Sequence, residues 1–332
     1  MARSSSIDLD SPDRPFDNII NFRDVGRTIN QYCGTQILKE GVLFRSARPD
    51  DASERDKRRM ADEFHIATVI DLRSTTEHQM ATRKRRAENA NSGESSADID
   101  LTGTPVPVNA DEHLLQIPDS QRCLISLTGK GLERTLLWKL DWTNYMYVTH
   151  SNPPKESPPK AYQLQSSRKA ITMAATGYRN DAIRLVGEQV MQQRGLTGLA
   201  QDTLDASKTE LRSIFELLGQ DDTYPVLVHC TQGKDRTGLI ILMMMLLAGE
   251  TVSTAAVIDD YTRSELELVP EFEERMREIR ALGLGEEYTR CPPDFVDATT
   301  DYLQKYGGVQ GYLNGIGINA QMQEHIRQKI LA

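Results

Sequence analysis

The stretch that most constrains this chain is a short apolar run followed by a cysteine, a turn and a second, longer apolar run. It reads Val226-Leu-Val-His-Cys-Thr-Gln-Gly-Lys-Asp-Arg-Thr-Gly238 and continues apolar over residues 239–248. The pattern predicts a buried strand, a loop and a helix in immediate succession. Cys230 then lies beside the N-terminus of that helix, where backbone N–H groups without intrahelical partners attract anions. The chain is therefore expected to hold a cysteine inside an anion-binding loop.

The spacing between Cys230 and Arg236 predicts how that loop works. The residues between them are Thr231, Gln232, Gly233, Lys234 and Asp235. This length is enough to wrap backbone N–H groups around one tetrahedral oxyanion, and Arg236 can close the ring through its bidentate guanidinium fork. The positive field of the helix, Lys234 and Arg236 favours the thiolate form of Cys230, which is the nucleophilic form. The spacing thus indicates a phosphate-binding loop with a cysteine nucleophile.

Two neighbours of the loop are predicted to support it. His229 is expected to orient the loop rather than to act as a base. Thr237 can donate its hydroxyl to Cys230 Sγ, which steadies the sulfur as nucleophile and as leaving group. Gly233 and Gly238 allow tight backbone turns that a Cβ would hinder. An isolated cysteine is more often a packing residue, but the strand, the loop motif and the helix together favour chemistry.

The motif His-Cys-x5-Arg-Thr resembles the signature of the cysteine-dependent protein tyrosine phosphatase superfamily. The form HCTQGKDRTG is similar to that of the atypical tyrosine/serine phosphatases, a branch that includes a mycobacterial triple-specificity phosphatase and fungal relatives. Segments 21–26, 43–46, 69–74 and 301–313 agree with this branch. The resemblance implies a phosphatase that works through a cysteinyl-phosphate intermediate, and this scheme requires no metal or cofactor.

Two carboxylates compete for the role of proton donor to the leaving oxygen. Asp235 lies inside the loop and matches the residue that the resemblance implies for this branch. Asp71 ends a predicted buried strand, and sites collect at strand ends in open α/β sheets; pairing with Arg73 or with a backbone N–H is its structural alternative. No Trp-Pro-Asp tripeptide, which carries the acid in many members of the superfamily, occurs in the chain. We favour Asp235, because its place in the loop brings it within reach of the leaving oxygen.

Lys234 bears on the choice of substrate. A second fixed cation beside Arg236 suits a ligand with more than one phosphate, so phosphoinositides stand beside phosphotyrosine as substrates. Alternatively, Lys234 only favours the thiolate of Cys230.

Three functions follow from these residues. The first is a phosphatase that acts on phosphotyrosine, with phosphoserine, phosphothreonine and phosphoinositides as further substrates. The second is an inositol phosphate or phosphoinositide phosphatase. The third is a catalytically inactive phosphate-binding scaffold, which the intact Cys230, Arg236 and Thr237 disfavour.

Composition narrows the class of protein. The chain has 332 residues, 39% of them hydrophobic, and a net charge of −9 at pH 7. Its length suits one large domain with a buried core, and its acidic balance argues against a nucleic-acid partner. The four scattered cysteines show no metal-ligand spacing. No apolar run approaches the roughly 20 residues of a membrane span, so a cytoplasmic protein with a phosphorylated protein or phosphoinositide substrate is expected.

The fold expected from these patterns is α/β, with a central mostly parallel sheet flanked by helices, as the tyrosine phosphatase resemblance also implies. Residues 1–17 are interpreted as a disordered lead. Residues 18–332 are interpreted as one domain with a helical insertion at about 83–177, which begins as an exposed polar loop at the basic cluster 83–86.

Local patterns also predict individual elements. Segment 19–44 is expected to form short strands joined by turns, whose charged edges, Arg23, Asp24 and Arg45, either support the pocket or form a structural ion-pair network. A helix with Asp50 or Ser53 as its cap is expected up to residue 64. Further helices are expected over 211–218, after Ser253, and over 295–306 and 319–330.

Overall fold

A five-stranded sheet organises the fold in the computed structural model, which describes residues 15–91, 114, 116–148 and 179–332. The spatial order of the strands is β1-β2-β5-β3-β4. Strand β1 is antiparallel to β2, and all other neighbours pair in parallel. This confirms the predicted mostly parallel sheet. The strands are β1 Arg23–Asp24, β2 Leu43–Ser46, β3 Thr68–Asp71, β4 Gln121–Leu124 and β5 Val226–His229.

Helices surround this sheet and make up most of the described chain. The predicted helix caps Ser53 and Ser253 each accept a hydrogen bond from a backbone N–H in the first turn of their helix. The α-helices are α1 Val25–Cys33, α2 Glu54–Arg58, α3 Thr75–Asn91, α4 Lys130–Val148, α5 Arg179–Val186, α6 Gln192–Ala206, α7 Lys208–Leu218, α8 Asp235–Ala248, α9 Thr254–Glu267, α10 Phe272–Ala281, α11 Phe295–Gln304, α12 Gly308–Gly315 and α13 Ala320–Ile330.

Both faces of the sheet are buried, and alternate strand residues enter two different cores. Val226 and Val228 belong to the larger core, whereas Leu227 between them belongs to the smaller one. The same alternation separates Ile70 from Val69. Successive side chains of a strand point to opposite faces, so the apolar runs in β3 and β5 are those of a parallel sheet covered on both sides.

Helix α8 is the central helix of the larger core. Its residues 237–245 and 247–248 are buried, and its sequence is apolar on every side. A helix with no polar face belongs inside a protein rather than at its surface. It starts directly after the loop that follows β5. The predicted succession of strand, loop and buried helix is therefore confirmed.

The carboxyl ends of β2, β3 and β5 meet at one edge of the sheet. Ser46 and Asp71 are the register partners of His229, the last residue of β5. Cys230 and the turn that follows leave the sheet at this edge, between β2 and β3. Sites in open α/β sheets form at such an edge, because loops from several parallel strands converge there.

Three predictions for the N-terminal half need correction or narrowing. Segment 19–44 contains helix α1, whose N-cap Asp24 accepts from Arg27 N, so this stretch does not consist of strands and turns alone. The basic cluster 83–86 belongs to α3, since its residues are good helix formers and Lys84 pairs with Glu274. Of the predicted lead, only residues 15–17 are described, and Asp17 N donates to Asp56.

The predicted insertion is only partly within the described residues. Residues 92–113, 115 and 149–178 lie outside them. Of the remainder, β4 pairs with β3 and so belongs to the main sheet, while α4 packs with residues 185–206 around a separate small core. No helix among the described residues is both long and apolar enough to cross a membrane.

Candidate active site

The loop after β5 has its backbone carbonyls turned outward. Arg48 N donates to Thr231 O at 3.0 Å, Asn21 Nδ2 donates to Gln232 O at 2.9 Å, and Arg45 Nη2 donates to Gly233 O at 2.7 Å. In a planar trans peptide the N–H points away from the C=O. The N–H groups of residues 232–234 are therefore directed to the inside of the loop, an arrangement that can bind an anion.

Gly233 is the position in the loop that requires glycine. Its φ of +65° is left-handed, and a Cβ there would lie 2.0 Å from Ser46 O. Any other residue would be strained and would collide with the end of β2. The predicted role of Gly233 in the turn is thus supported, and it brings the loop against the neighbouring strand.

Cys230 lies at the base of the loop. It is 2% exposed, and Gly233 N donates to its Sγ at 3.2 Å. The predicted contact from Thr237 is not made: Thr237 Oγ1 is buried and has no hydrogen-bond partner within the described part of the chain. The sulfur is therefore held by a backbone N–H, the kind of donor that stabilises a thiolate.

The guanidinium of Arg236 is held by a carboxylate from another element. Arg236 Nη1 and Nη2 lie 2.7 and 2.6 Å from the two oxygens of Glu77 in α3. Thr231 Oγ1 also donates to Glu77. Burial would raise the pKa of Glu77, but the charge of Arg236 lowers it to about 2. Glu77 is therefore a permanent anion that fixes the fork of Arg236.

Glu77 was missed from the sequence, although a local signal was present. Ser74 follows β3 and exchanges hydrogen bonds with Glu77: Ser74 N donates to Glu77 Oε2 at 2.9 Å, and Glu77 N donates to Ser74 Oγ at 3.3 Å. This is the reciprocal capping box Ser-x-x-Glu at a helix start. The motif predicts a helix N-terminus, but it does not predict that the same carboxylate also binds an arginine of the loop.

The mouth of the loop is partly open. The side chains of Arg236, Glu77 and Asp235 are 20, 22 and 30% exposed, and Thr231 and Gln232 are also partly exposed. A ligand can therefore reach the loop between α3 and the start of α8.

Asp71 has the surroundings of a structural ion pair. It is fully buried, and Arg73 binds it through Nε at 3.0 Å and Nη2 at 2.8 Å, while the Arg73 N–H donates to it at 3.1 Å. Burial would raise the pKa of Asp71, but His229 and Arg73 hold it far below its ordinary range. Such a carboxylate has no proton to give, which fits the structural alternative and not the proton donor.

His229 lies beneath the loop, as an orienting residue would. It is completely buried; its Nδ1 donates to Cys230 O at 3.1 Å, and its Nε2 is 3.4 Å from Asp71 Oδ2. Burial lowers the pKa of His229 to about 4, against the opposing effect of Asp71. The imidazole is therefore neutral near pH 7. With its proton on Nδ1, its Nε2 has none to donate to Asp71, and Nε2 has no hydrogen-bond partner among the described residues.

Asp235 is the partly exposed carboxylate of the loop. It is the first residue of α8, and Tyr261 Oη of α9 donates to its Oδ1 at 3.2 Å. Lys234 Nζ lies 3.5 Å from the same oxygen. Of the two predicted acids, Asp235 is the one at the mouth of the loop.

Lys234 points away from that mouth. It is fully buried, and its Nζ donates to Tyr288 O at 2.9 Å and to Arg290 O at 2.6 Å. With Asp235 nearby, these contacts use the donors of the ammonium group. Lys234 therefore ties the start of α8 to the segment around residues 288–290, and in this arrangement it does not present a free cation to a second phosphate.

Arg23 and Arg45 form an ion-pair network, and this network also supports the loop. Both bind Asp260, at 2.8 and 2.5 Å, and this network is buried. Arg45 also donates to carbonyls of the loop, Gly233 O at 2.7 Å and Lys234 O at 3.3 Å. The ion pairs thus form the rigid support behind the loop. Asp24, in contrast, only caps α1 and accepts from Gly41 N.

Comparison with known proteins agrees with this geometry. A model of the tyrosine phosphatase family matches residues 14–332. The triple specificity protein phosphatase PtpB of Mycobacterium tuberculosis is 25% identical over 337 aligned residues, which cover 94% of this chain and 96% of the relative. A tyrosine-protein phosphatase of Nostoc commune is 30% identical over 139 residues, which cover 38% of this chain and 46% of the relative.

Proposed function

Because the chain belongs to the tyrosine phosphatase family, we propose that it hydrolyses phosphomonoesters through a cysteinyl-phosphate on Cys230, with phosphotyrosine as its main substrate. The observation that carries this proposal is the loop itself. Its N–H groups face inward, the sulfur of Cys230 lies at its base, and Arg236 is held at its rim by Glu77.

In the first step, the thiolate of Cys230 attacks phosphorus in line with the leaving oxygen. The P–S bond forms as the P–O bond to the leaving group breaks. The loop N–H groups and Arg236 bind the equatorial oxygens, whose charge distribution changes in the transition state. Asp235 donates a proton to the leaving oxygen, so the dephosphorylated alcohol or phenol departs neutral.

In the second step, water attacks the phosphorus of the cysteinyl-phosphate. Asp235, now a carboxylate, accepts a proton from that water, the P–S bond breaks, and inorganic phosphate leaves with Cys230 again a thiolate. The N–H of Gly233, 3.2 Å from Sγ, stabilises the sulfur as leaving group. The same residues thus serve both steps, and this scheme needs no metal or cofactor.

Asp235 is the proposed acid because the alternative carboxylate carries no proton. Asp71 is bound by Arg73, and its pKa is far below the ordinary range. Asp235, in contrast, is 30% exposed at the mouth. In this scheme Lys234 has a structural role, since its Nζ donates to Tyr288 O and Arg290 O.

The substrate class is supported by the relatives. One relative is named a triple specificity phosphatase and another a tyrosine-protein phosphatase. We therefore include phosphoserine, phosphothreonine and phosphoinositides as further substrates of the proposed enzyme. Inositol phosphates are the second candidate class of substrate. A further cation beside the loop, Arg275, favours them, because its guanidinium contacts Gln232 of the loop.

A cytoplasmic location completes the proposal. The four cysteines are free thiols in the structure, which suits a reducing compartment. The net charge of −9 argues against a nucleic-acid substrate.

Phosphate release by wild type and by Cys230→Ser tests this function. The substrates are matched phosphotyrosine peptides, phosphothreonine peptides, phosphoinositides and soluble inositol phosphates. We expect the fastest turnover with phosphotyrosine peptides, and a loss of at least roughly 10⁴-fold in Cys230→Ser, since the nucleophile is removed. Mass spectrometry of acid-quenched wild type should find a phosphoryl group on the peptide that contains Cys230. Wild type without turnover on any substrate would leave the inactive scaffold as the better interpretation.

A further inference from the structure

Arg275 of α10 is a buried cation next to the phosphate loop. It is 2% exposed, and its Nη2 donates to Gln232 Oε1 at 3.2 Å and to Thr289 O at 2.7 Å. Its Nη1 donates to Leu268 O at 3.3 Å, and its Nε has no hydrogen-bond partner in the described chain. The guanidinium thus lies against the side chain of a loop residue and keeps one donor unused.

The other arginines at the site are neutralised by carboxylates. Arg45 binds Asp260 at 2.5 Å, Arg73 binds Asp71 at 2.8 Å, and Arg236 binds Glu77 at 2.6 Å. Arg275 differs from all of these. Within residues 15–91, 116–148 and 179–332, no carboxylate forms an ion pair with it. Burial lowers the pKa of Arg275, and Asp235 contributes the largest opposing effect.

An uncompensated buried charge is expensive for a fold. Removing one partner from a buried ion pair typically costs several kcal/mol, because the remaining charge has lost its hydration without gaining a counter-charge. Groups kept in such surroundings at a cleft are candidates for function. At Arg275 the missing counter-charge would be supplied by an anionic ligand.

Gln232 shows how a ligand could reach this cation. Its side chain is partly exposed at the mouth, and its amide oxygen occupies a donor of Arg275 at 3.2 Å. A phosphate oxygen makes a stronger, charge-assisted bond to a guanidinium than an amide oxygen does. Rotation of the Gln232 side chain would free that donor.

Lys234, the second cation suggested by the sequence, is less suited to this role. Its ammonium donates to two backbone carbonyls and has Asp235 at 3.5 Å. Arg275 has an unused N–H and no ion-pair partner among the described residues. The side chain that can read a second anionic group is therefore on α10 and not in the loop.

We propose that Arg275 is a specificity-determining residue that, with Gln232, forms a subsite for a second phosphate on the substrate, adjacent to the phosphate held by the loop. The ligand class is an inositol ring with two phosphomonoesters, either as a soluble inositol phosphate or as a lipid headgroup. This inference rests on the proposed phosphatase function and names a substrate feature that the same site would recognise.

The test compares Arg275→Met with wild type and with Arg277→Met. Arg277 is exposed on the same helix, so it controls for the loss of one positive charge from α10. The readout is the ratio of kcat/KM for inositol bisphosphates to kcat/KM for inositol monophosphates. We expect this ratio to fall about 10- to 100-fold in Arg275→Met, the loss typical of one hydrogen bond to a charged group, and to keep its wild-type value in Arg277→Met.

Vesicles that contain mono- or bisphosphorylated phosphatidylinositol form the second arm. If the ratio falls on soluble compounds but not on vesicles, the ligand of the subsite is a soluble inositol phosphate. If the ratio falls on vesicles, the ligand is a lipid headgroup. An unchanged ratio in both arms, or an equal loss on mono- and bisphosphates, overturns the proposal. If Arg275→Met does not fold, Arg275→Lys retains the charge without the fork, and its ratio should still fall at least about threefold.

Binding to Cys230→Ser separates this proposal from the catalytic one. Calorimetry with an inositol bisphosphate measures affinity in Cys230→Ser and in the Cys230→Ser/Arg275→Met double variant. We expect the double variant to bind the inositol bisphosphate at least about 10-fold more weakly than Cys230→Ser does. Equal affinities would overturn the role of Arg275 even if wild type is an active phosphatase. Wild type that fails to turn over any substrate would overturn the catalytic proposal, whatever the affinities are.

Discussion

The ends of β3 and β5 are neighbours in the sheet, yet one is closed and the other is open. Asp71, the last residue of β3, is paired in register with His229 and is completely buried against Arg73. The residues after β5 instead form a loop with Asp235 and Arg236 partly exposed. Both places hold an arginine bound to a carboxylate, so residue type alone does not distinguish them.

The difference lies in what remains available to a ligand. At β3, Arg73 binds both Asp71 and Asp50 and is 1% exposed, so its donors serve the fold. At β5, Arg236 binds Glu77 through its two terminal nitrogens, while the loop N–H groups face an accessible space. A buried, satisfied ion pair stabilises or shapes the chain, whereas a partly exposed pair beside an accessible loop can hold its arginine next to a substrate.

Replacing each candidate acid by its amide gives the largest contrast between the two strand ends. Asp235→Asn should lower kcat on an alkyl phosphate by about 10²- to 10⁴-fold, because general acid catalysis contributes that much to departure of a poor leaving group. The loss should be much smaller on an aryl phosphate with an acidic phenol. Steady-state kinetics with both substrates measures the effect.

Asp71→Asn is the matched variant at β3. It should keep the leaving-group dependence of wild type and lose stability, since Arg73 would retain only Asp50 as its counter-charge. If Asp71→Asn, and not Asp235→Asn, became selectively slow on the alkyl phosphate, the assignment of the acid would be reversed.

Removing Arg73 tests the claim that the β3 end serves the fold. Arg73→Met should lower the free energy of unfolding by about 3–5 kcal/mol, because Asp71 and Asp50 would remain buried without their main counter-charge. Urea denaturation measures the change. Arg212→Met removes an exposed pair with Glu216 and should change stability by about 1 kcal/mol or less. A similarly small loss in Arg73→Met would contradict the structural role.

The buried histidine between the two ends predicts a pH dependence. Burial lowers the pKa of His229 from its ordinary value of about 6.5 to about 4 in the folded protein, so between these two values the unfolded state binds the extra proton. The contribution of neutral His229 to the free energy of unfolding is fully present above pH 6.5. It is lost as the pH falls toward 4, and the loss is at most about 3 kcal/mol. Urea denaturation should show that the free energy of unfolding falls less between pH 6.5 and pH 4 in His229→Gln than in wild type. An identical decline in the two proteins would count against a neutral, buried His229.

Glu77 gives the smallest expected effect and sharpens the description of the open end. Glu77→Gln removes the charge that fixes Arg236 but keeps an oxygen that can accept a hydrogen bond. We expect kcat/KM to fall about tenfold, the scale of one charge-assisted hydrogen bond relative to a neutral one. Glu216→Gln, at an exposed ion pair, is the control. An increase in activity would mean that Glu77 competes with substrate instead of positioning Arg236.

The local features of the site were predictable from the sequence. The strand, the loop and helix α8 follow each other without interruption, and their signals are local: an apolar run, glycine in a turn and a long apolar helix. Gly233 adopts a left-handed φ that the motif anticipates. The inward N–H groups also depend on Asn21, Arg45 and Arg48, which bind the loop carbonyls. The roles of Cys230 and Arg236 as nucleophile and phosphate-binding residue stay predictions from the motif.

The partners of those residues were decided only by the tertiary structure. Glu77 is 159 positions from Arg236 in the chain, and Arg275 is 43 positions from Gln232. No pattern in the sequence states which carboxylate meets which arginine, because such contacts depend on how α3 and α10 pack beside the loop. The same packing buried Asp71 and turned Lys234 toward the carbonyls of residues 288 and 290.

By itself, then, the sequence determined the succession of strand, loop and buried helix over residues 226–248, because the signals for these elements are local. The tertiary structure decided which charged groups are neutralised, which are exposed and which lack a counter-charge. The physical reason is that charge pairing and burial depend on distances between segments far apart in the chain. Burial then determines whether a carboxylate such as Asp71 or Asp235 can take part in proton transfer.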